Sequence, residues 1–176
     1  MNIVLIGYRG AGKSVVGRRL AGQLQREFVD TDDLIEERLG APIRAIVESN
    51  GWGHFRSAEK RIIEEISGRD HLVIAPGGGA VLDAANVTAL KRNGLIIWLK
   101  ADWQILRKRM AEDSRTFAQR PTLTGKGALE ELRDVIAIRD GIYERAAEVQ
   151  IDTSALNVKE VVGGVLSIFR KRVKGT

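Results

Sequence analysis

The chain has no cysteine among its 176 residues. Disulfides, thiolate nucleophiles and cysteine-based zinc sites are therefore excluded together. Only two histidines, His54 and His71, are present, too few for a multi-histidine metal centre. Aromatic residues make up 5% of the chain and do not cluster with the arginines, which argues against the stacking platforms that bind single-stranded nucleic acid. Long apolar runs are missing too. Leu95–Leu99 is typical of the longest, far below the ~20 residues of a bilayer span. Ile3–Ile6 is too short for a signal-peptide core of roughly 7–15 residues. These absences point to a soluble, cytoplasmic protein with no membrane partner.

What is present is 44% hydrophobic and 29% charged, too apolar for intrinsic disorder and long enough for one compact domain spanning residues 1–176. Basic residues number 28 against 23 acidic, a net charge of +5. Four of them, Arg170, Lys171, Arg172 and Lys174, form a C-terminal run with no acidic residue, which reads as a solvated tail. Setting those four aside leaves 24 basic against 23 acidic residues, so the body is nearly neutral and the net charge alone does not argue for nucleic acid.

Short β-type runs alternate with longer helical patterns throughout. Asn2–Ile6, Phe28–Asp30, Leu72–Ala75, Leu95–Leu99 and Val149–Asp152 read as buried strands, being short, branched-apolar and bounded by Gly, Asp or Pro. Helices are expected over about Lys13–Arg26, His54–Ile66, Asp83–Arg92, Trp103–Glu112, Ala128–Ala147 and Val158–Arg172. This alternation predicts an α/β fold, a five-stranded parallel sheet flanked by helices. The stretch Asp113–Gly127 has no clear period; a loop of that length inside a compact domain is usually functional or disordered.

Gly7-Tyr8-Arg9-Gly10-Ala11-Gly12-Lys13-Ser14 satisfies the P-loop pattern of Gly, four residues, then Gly-Lys-Ser. It follows a predicted strand and opens a predicted helix, as the motif requires. Glycines let the backbone wrap closely enough for its N–H groups to point at phosphate oxygens, and the helix N-terminus adds a partial positive charge. The expected nucleotide-binding stretch is Gly10, Ala11, Gly12, Lys13, Ser14 and Val15. Lys13 would reach the β- and γ-phosphates, and the Ser14 hydroxyl would be a magnesium ligand.

The second strand ends in Asp30-Thr31-Asp32. Ligands of open parallel sheets collect at the carboxyl ends of the strands. Asp30 is therefore placed to hold magnesium through water. Asp32 either orients and deprotonates an attacking hydroxyl or caps a helix beginning at Asp33. After the third strand comes Pro76-Gly77-Gly78-Gly79-Ala80, which either lets backbone touch a ligand or makes a turn. Arg56 heads the helix that leads to this strand, and Arg139 lies in Ile138-Arg139-Asp140-Gly141-Ile142-Tyr143. Taken singly, each arginine also fits a solvated helix face.

Taken together, Gly10-Ala11-Gly12-Lys13-Ser14, Phe28-Val29-Asp30-Thr31-Asp32, Phe55-Arg56, Gly77-Gly78-Gly79-Ala80-Val81, Arg120-Pro121 and Arg139 with Tyr143, in this order and spacing, resemble the shikimate kinases over roughly Asn2–Asp152. The resemblance implies a P-loop kinase fold of the nucleoside-monophosphate-kinase type, with a mobile lid over about 113–127 and an acceptor-binding helical segment over about 31–66. It implies a monomeric transferase that phosphorylates the 3-hydroxyl of shikimate with ATP and Mg²⁺, on the route to chorismate and the aromatic amino acids. Asp32, Arg56, Gly77, Gly78, Gly79 and Arg139 would bind shikimate, the two guanidinium groups gripping its carboxylate. Lys13, Asp32 and Arg120 would be catalytic, with Arg120 on the lid over the ATP phosphates. After the fifth strand, Asp152-Thr153-Ser154-Ala155-Leu156-Asn157-Val158 has no arginine where the family commonly places one against adenine. Arg115 is the expected replacement.

Other functions share parts of this pattern. A gluconate or other sugar-acid kinase has the P-loop and an aspartate near the second strand, but the triple glycine and Asp-Thr-Asp argue against it. A nucleoside monophosphate kinase needs a second base pocket, for which no signature is present. A nucleic-acid-binding P-loop ATPase would interleave aromatic and basic residues. A binding module without catalysis is countered by the presence of Lys13, Ser14, Asp30 and Asp32. His54 and His71 carry no expected chemistry. Trp52, Trp98 and Trp103 read as packing residues, with Trp52 close enough to Arg56 to line the acceptor pocket.

Overall fold

The structure is a computed structural model that describes residues 1–112 and 132–175. Five parallel strands form one sheet in the order β2-β3-β1-β4-β5: β1 Asn2–Ile6, β2 Glu27–Asp30, β3 Leu72–Ala75, β4 Gly94–Lys100 and β5 Val149–Asp152. The helices are α1 Lys13–Leu24, α2 Thr31–Leu39, α3 Ile43–Ser67, α4 Ala84–Arg92, α5 Trp103–Glu112, α6 Leu132–Ala146 and α7 Val158–Lys174. A 3-10 turn, Ala80–Leu82, precedes α4. The expected architecture is therefore the observed one.

The central strands β1 and β3 are buried at every residue, and β4 at all but Lys100. Continuous burial is what a sheet covered on both faces demands, and it explains the runs Ile3-Val4-Leu5-Ile6 and Leu95-Ile96-Ile97-Trp98-Leu99. Each such side chain contributes roughly 1.5–3 kcal/mol on burial. Phe28–Asp30 and Val149–Asp152 differ from the expectation of buried strands. They are edge strands, and Glu27, Gln150 and Asp152 lie exposed. An edge strand has one partner and a face at the rim, so it tolerates polar residues that a central strand does not.

Helix boundaries differ mainly where loops are short. The helix predicted from His54 begins at Ile43 and contains a break at Gly51, where φ is +78° and ψ is 167°. Arg56 therefore lies early in the helical segment that follows this break, close to where the sequence places the head of a helix. The first helix ends at Leu24 because Gln25 adopts the left-handed conformation. Asp30, not Asp32, is the N-cap of α2: its side chain accepts the Asp32 N–H at 3.1 Å. That leaves Asp32 in the first helical turn, its side chain not used as the cap. The basic C-terminal run is helical; its last turn carries Lys171, Arg172 and Lys174, cations well placed against the helix dipole. Residues 128–131 of the helix predicted over Ala128–Ala147 lie outside the described residues.

The topology fixes where a ligand can sit. The connection leaving β1 runs toward β2, whereas the one leaving β3 crosses to β4 on the opposite side of β1. Adjacent strands whose connections diverge leave a crevice at their carboxyl ends. The loops after β1 and β3, the P-loop and Gly77–Gly79, form its walls.

Gly94 opens β4, where a Cβ would stand 2.5 Å from the Leu90 carbonyl oxygen and 2.8 Å from Val4 Cγ2. Gly94→Ala is expected to cost about 1–3 kcal/mol of overpacking, lowering the Tm by several degrees while kcat below the transition is unchanged; thermal unfolding followed by circular dichroism checks it.

Candidate active site

The P-loop is built as an anion cradle. Gly10 and Gly12 have φ of +76° and +90°, conformations that L side chains rarely adopt. They turn the backbone so that α1 starts with no side-chain cap and no acidic residue in its first turn, leaving its N–H groups for a ligand. Lys13 Nζ folds back onto the loop, donating to the carbonyls of Gly7 at 2.8 Å and Tyr8 at 3.2 Å. The Ser14 hydroxyl donates to Asp30 Oδ2 at 2.6 Å.

A cleft of about 560 Å³ opens over this cradle, lined by Gly10 to Val16 and by Asp30, Asp32, Asp33 and Glu36. At its far end lie Arg109, Thr153, Leu156 and Val158. Arg109 is fixed there by two bonds to Thr153, to the hydroxyl at 3.0 Å and to the carbonyl at 2.7 Å. The acidic side of the cleft has its own field: burial and the neighbouring Asp30 hold the Asp33 carboxyl above its ordinary pKa, with Arg18 opposing. Two oxygen donors, Ser14 and Asp30, in a negative field fit a hard divalent cation. Mg²⁺ takes few protein ligands and completes its shell with phosphate and water. No group of three or more His, Cys, Asp or Glu side chains able to hold a metal is present among the described residues.

A second recess adjoins the cleft. It is lined by Asp32, Arg56, Glu59, Gly77, Gly78, Gly79 and Arg139, with Trp52 and Phe55. Arg9, Asp32 and Ile43 line both spaces, so Asp32 stands where they meet. The triple glycine is explained by close approach. A Cβ on Gly77 would lie 2.6 Å from Asp32 Oδ1 and 2.9 Å from Glu59 Oε1, and one on Gly79 would fall on the Arg56 guanidinium. Arg56 pairs with Glu59 at 2.6 Å and lies over the rings of Trp52 and Phe55, 5.5 and 5.1 Å from their centroids, which places Trp52 at the recess as expected.

Arg139 comes from α6. Its guanidinium lies over the Tyr8 ring and beside Tyr143, whose hydroxyl donates to the Gly78 carbonyl at 2.6 Å. Burial pushes the Tyr143 pKa up to about 12, with Arg139 opposing. Tyr143 in turn stacks on Trp98, a buried residue of β4, with centroids 5.8 Å apart.

Among the sequence-predicted residues, Gly10, Ala11, Gly12, Lys13, Ser14, Val15 and Asp30 line the cleft, Arg56, Gly77, Gly78, Gly79 and Arg139 line the recess, and Asp32 lines both. Arg115, Arg120 and the stretch 113–127 lie outside the described residues. His54 and His71 are exposed and line neither space. Sequence reasoning gave no role to Glu59 or Arg109. The i,i+3 spacing of Arg56 and Glu59 was a usable signal for the first; Arg109 sits in an ordinary polar helix with no motif around it.

A P-loop cleft that shares one carboxylate with a guanidinium-lined recess defines the class: a P-loop phosphotransferase acting on a small anionic acceptor. A family model described as shikimate kinase matches residues 9–170. The shikimate kinase of Syntrophus aciditrophicus is 40% identical over 97% of this chain and 92% of its own length. The structure of shikimate kinase from Acinetobacter baumannii in complex with shikimate superposes with a TM-score of 0.88 at 36% identity, covering 97% of this chain and 93% of that one. A gluconokinase from Sinorhizobium meliloti shares the fold, with a TM-score of 0.60 at 18% identity and coverage of 99% and 94%. The chain belongs to the shikimate kinase family.

Glu59 yields a stability test. The residue is 1% exposed, and burial, the largest influence, raises its pKa from 4.5, with Arg56 opposing and Asp32 adding to the rise. A carboxyl with a higher pKa folded than unfolded binds more protons when folded. Its contribution to stability therefore falls as pH rises from the unfolded value through the folded one. Glu59→Gln removes that titration, so the Tm of the variant relative to the parent should become more positive as pH is raised from about 4.5. Melting curves at pH 4–7 measure this, and a flat or falling difference would show that the ion pair with Arg56 outweighs burial.

Proposed function

We infer that the chain transfers the γ-phosphoryl group of ATP to the 3-hydroxyl of shikimate, giving shikimate 3-phosphate and ADP. The observation that carries this reading is the meeting of two anion sites at one carboxylate. The P-loop serves the donor, Arg56 and Arg139 serve the acceptor, and Asp32, 7% exposed, lies between them.

Each part then has a physical role. The N–H groups of the P-loop and the N-terminus of α1 bind the phosphates in line with the acceptor. Lys13 exchanges the carbonyls of Gly7 and Tyr8 for phosphate oxygens and stabilises charge on the transferring group. Ser14 directly and Asp30 through water would hold Mg²⁺, which would neutralise phosphate charge. Asp32 orients the attacking hydroxyl and accepts its proton. Arg56 and Arg139 grip the carboxylate with paired N–H donors, and the backbone of Gly77–Gly79 lets the ring of the acceptor approach. Arg109, on the far side of the cleft from the acceptor recess, offers a flat guanidinium to the adenine. It shares with Arg115, which lies outside the described residues, the place of the arginine lacking after β5. Arg120 is assigned to the transferring phosphoryl group by family resemblance.

The finer expectations belong to the same reading: a cytoplasmic monomer, with one domain over 1–176, residues 31–66 as its acceptor-binding part and 113–127 as its lid, and no nucleic-acid or membrane partner.

ATP turnover with and without shikimate tests the reading. ADP release should depend on shikimate and be unaffected by gluconate; gluconate-dependent release would favour the sugar-acid alternative. Arg139→Ala should raise the shikimate KM roughly 10- to 100-fold, the size of a lost charge-assisted hydrogen bond, with the ATP KM nearly unchanged. An unaltered shikimate KM would remove Arg139 from the acceptor site.

A further inference from the structure

The P-loop pattern leaves the residue after its first glycine unspecified, so nothing in nucleotide binding calls for the aromatic side chain of Tyr8. Its backbone belongs to the donor side: the carbonyl accepts from Ala11 N at 3.2 Å and from Lys13 Nζ at 3.2 Å. Its ring faces the acceptor side. The Arg139 guanidinium carbon is 5.5 Å from the ring centroid, inside the ~6 Å reach of a cation–π contact. Tyr8 is buried, so the contact is partly desolvated, the condition in which it is strongest.

Arg139 needs such support. It projects from a helix whose preceding residue, Ile138, is 71% exposed, and an unrestrained arginine samples many rotamers. The ring of Tyr8 holds one side of the guanidinium. The Tyr143 hydroxyl, fixed by its bond to Gly78, is in hydrogen-bonding reach of it as well. Both supports are electrically neutral, so they direct the guanidinium without neutralising it.

We propose that Tyr8 is a positioning residue for the acceptor: its ring presents the Arg139 guanidinium edge-on to the acceptor carboxylate, and so contributes to selecting carboxylate-bearing acceptors. This inference rests on the assignment of Arg139 to that carboxylate. It gives one P-loop residue two separable duties, a backbone duty to ATP and a side-chain duty to shikimate.

Steady-state kinetics of Tyr8→Leu, Tyr8→Phe, Arg139→Ala and the Tyr8→Leu/Arg139→Ala double variant, with shikimate and its methyl ester, test it. Tyr8→Leu should raise the shikimate KM about fivefold, leave the ATP KM within about twofold, and leave turnover of the neutral ester unaffected. Tyr8→Phe, which keeps the ring, should restore the shikimate KM, and Tyr8→Leu should add nothing in the Arg139→Ala background. If Tyr8→Leu does not fold, a fluorinated phenylalanine at position 8 keeps the shape and weakens the ring quadrupole; it should raise the shikimate KM in the same direction. A rise in the ATP KM equal to that for shikimate, or an equal loss with the ester, would assign Tyr8 to the P-loop backbone alone and overturn the proposal. So would an unchanged shikimate KM in Tyr8→Leu when Arg139→Ala raises it. An unchanged KM in Arg139→Ala itself overturns the Arg139 assignment and this inference with it.

Discussion

Everything at this site depends on two stretches of backbone passing close together where β1 and β3 send their chains apart. A Cβ on Gly78 would lie 3.4 Å from the Gly7 carbonyl oxygen and 3.8 Å from Arg9 N, so the triple-glycine loop is pressed against the P-loop. Donor and acceptor sites built on these two loops are neighbours by construction. Any side chain at Gly77 or Gly79 would displace Asp32, Glu59 or Arg56. The glycines thus serve less as flexible turns than as places where functional side chains from α2 and α3 occupy the space that a Cβ would take. Proximity of the reacting groups, worth several kcal/mol in a bimolecular transfer, is set by the sheet before any ligand arrives.

The electrostatics follow the same division. Chain-wide, the basic excess is only five charges, and four of the basic residues sit at the end of α7, where Arg172 pairs with Glu148 at 3.2 Å. The charges relevant to phosphoryl transfer come from separate segments: Lys13 from α1, Arg56 from α3, Arg139 from α6. The acidic groups gather on the α2 side of the cleft, where burial and, after it, repulsion by Asp30 raise the pKa of Asp33. A cation shared between that carboxylate cluster and a polyphosphate relieves both, which is why an acidic wall belongs beside an anion cradle.

Most of the fold and the chemical centre of the site were legible in the sequence, for reasons that can be named. Buried central strands are continuous apolar runs, and phosphate loops need glycine at fixed offsets, so both leave local traces. Edge strands do not: Phe28 and Val149 look like core residues until their neighbours in the sheet are known. The early start of α3 was hidden because Gly51 interrupts the helical pattern. The role of Asp32 stayed open between catalysis and capping because Asp30 and Asp32 are equally good capping residues by type, and only the end of β2 decides between them. Glu59 and Arg109 were missed for a tertiary reason. Their surroundings are supplied by the loops after β3 and β5, far away along the chain.

The two arginines of the recess, proposed above to grip the acceptor carboxylate, are held in opposite ways, and the difference bears on how each would act. Arg56 is paired with a buried carboxylate, Glu59, one of whose oxygens has no hydrogen-bond partner among the described residues. An incoming carboxylate must therefore share Arg56 with a charge already in place, so this arm supplies direction more than net attraction. Arg139 rests on two neutral tyrosines and has no ion-pair partner among the described residues. In a recess of low dielectric that distinction is large, because an uncompensated guanidinium attracts an anion far more strongly than one already paired. In the proposed reaction Arg139 would draw the acceptor in, and Arg56 would fix its orientation. Burial of Glu59 adds a second effect: while ionised it keeps Arg56 in place, and its proximity to Asp32 disfavours adding further negative charge there.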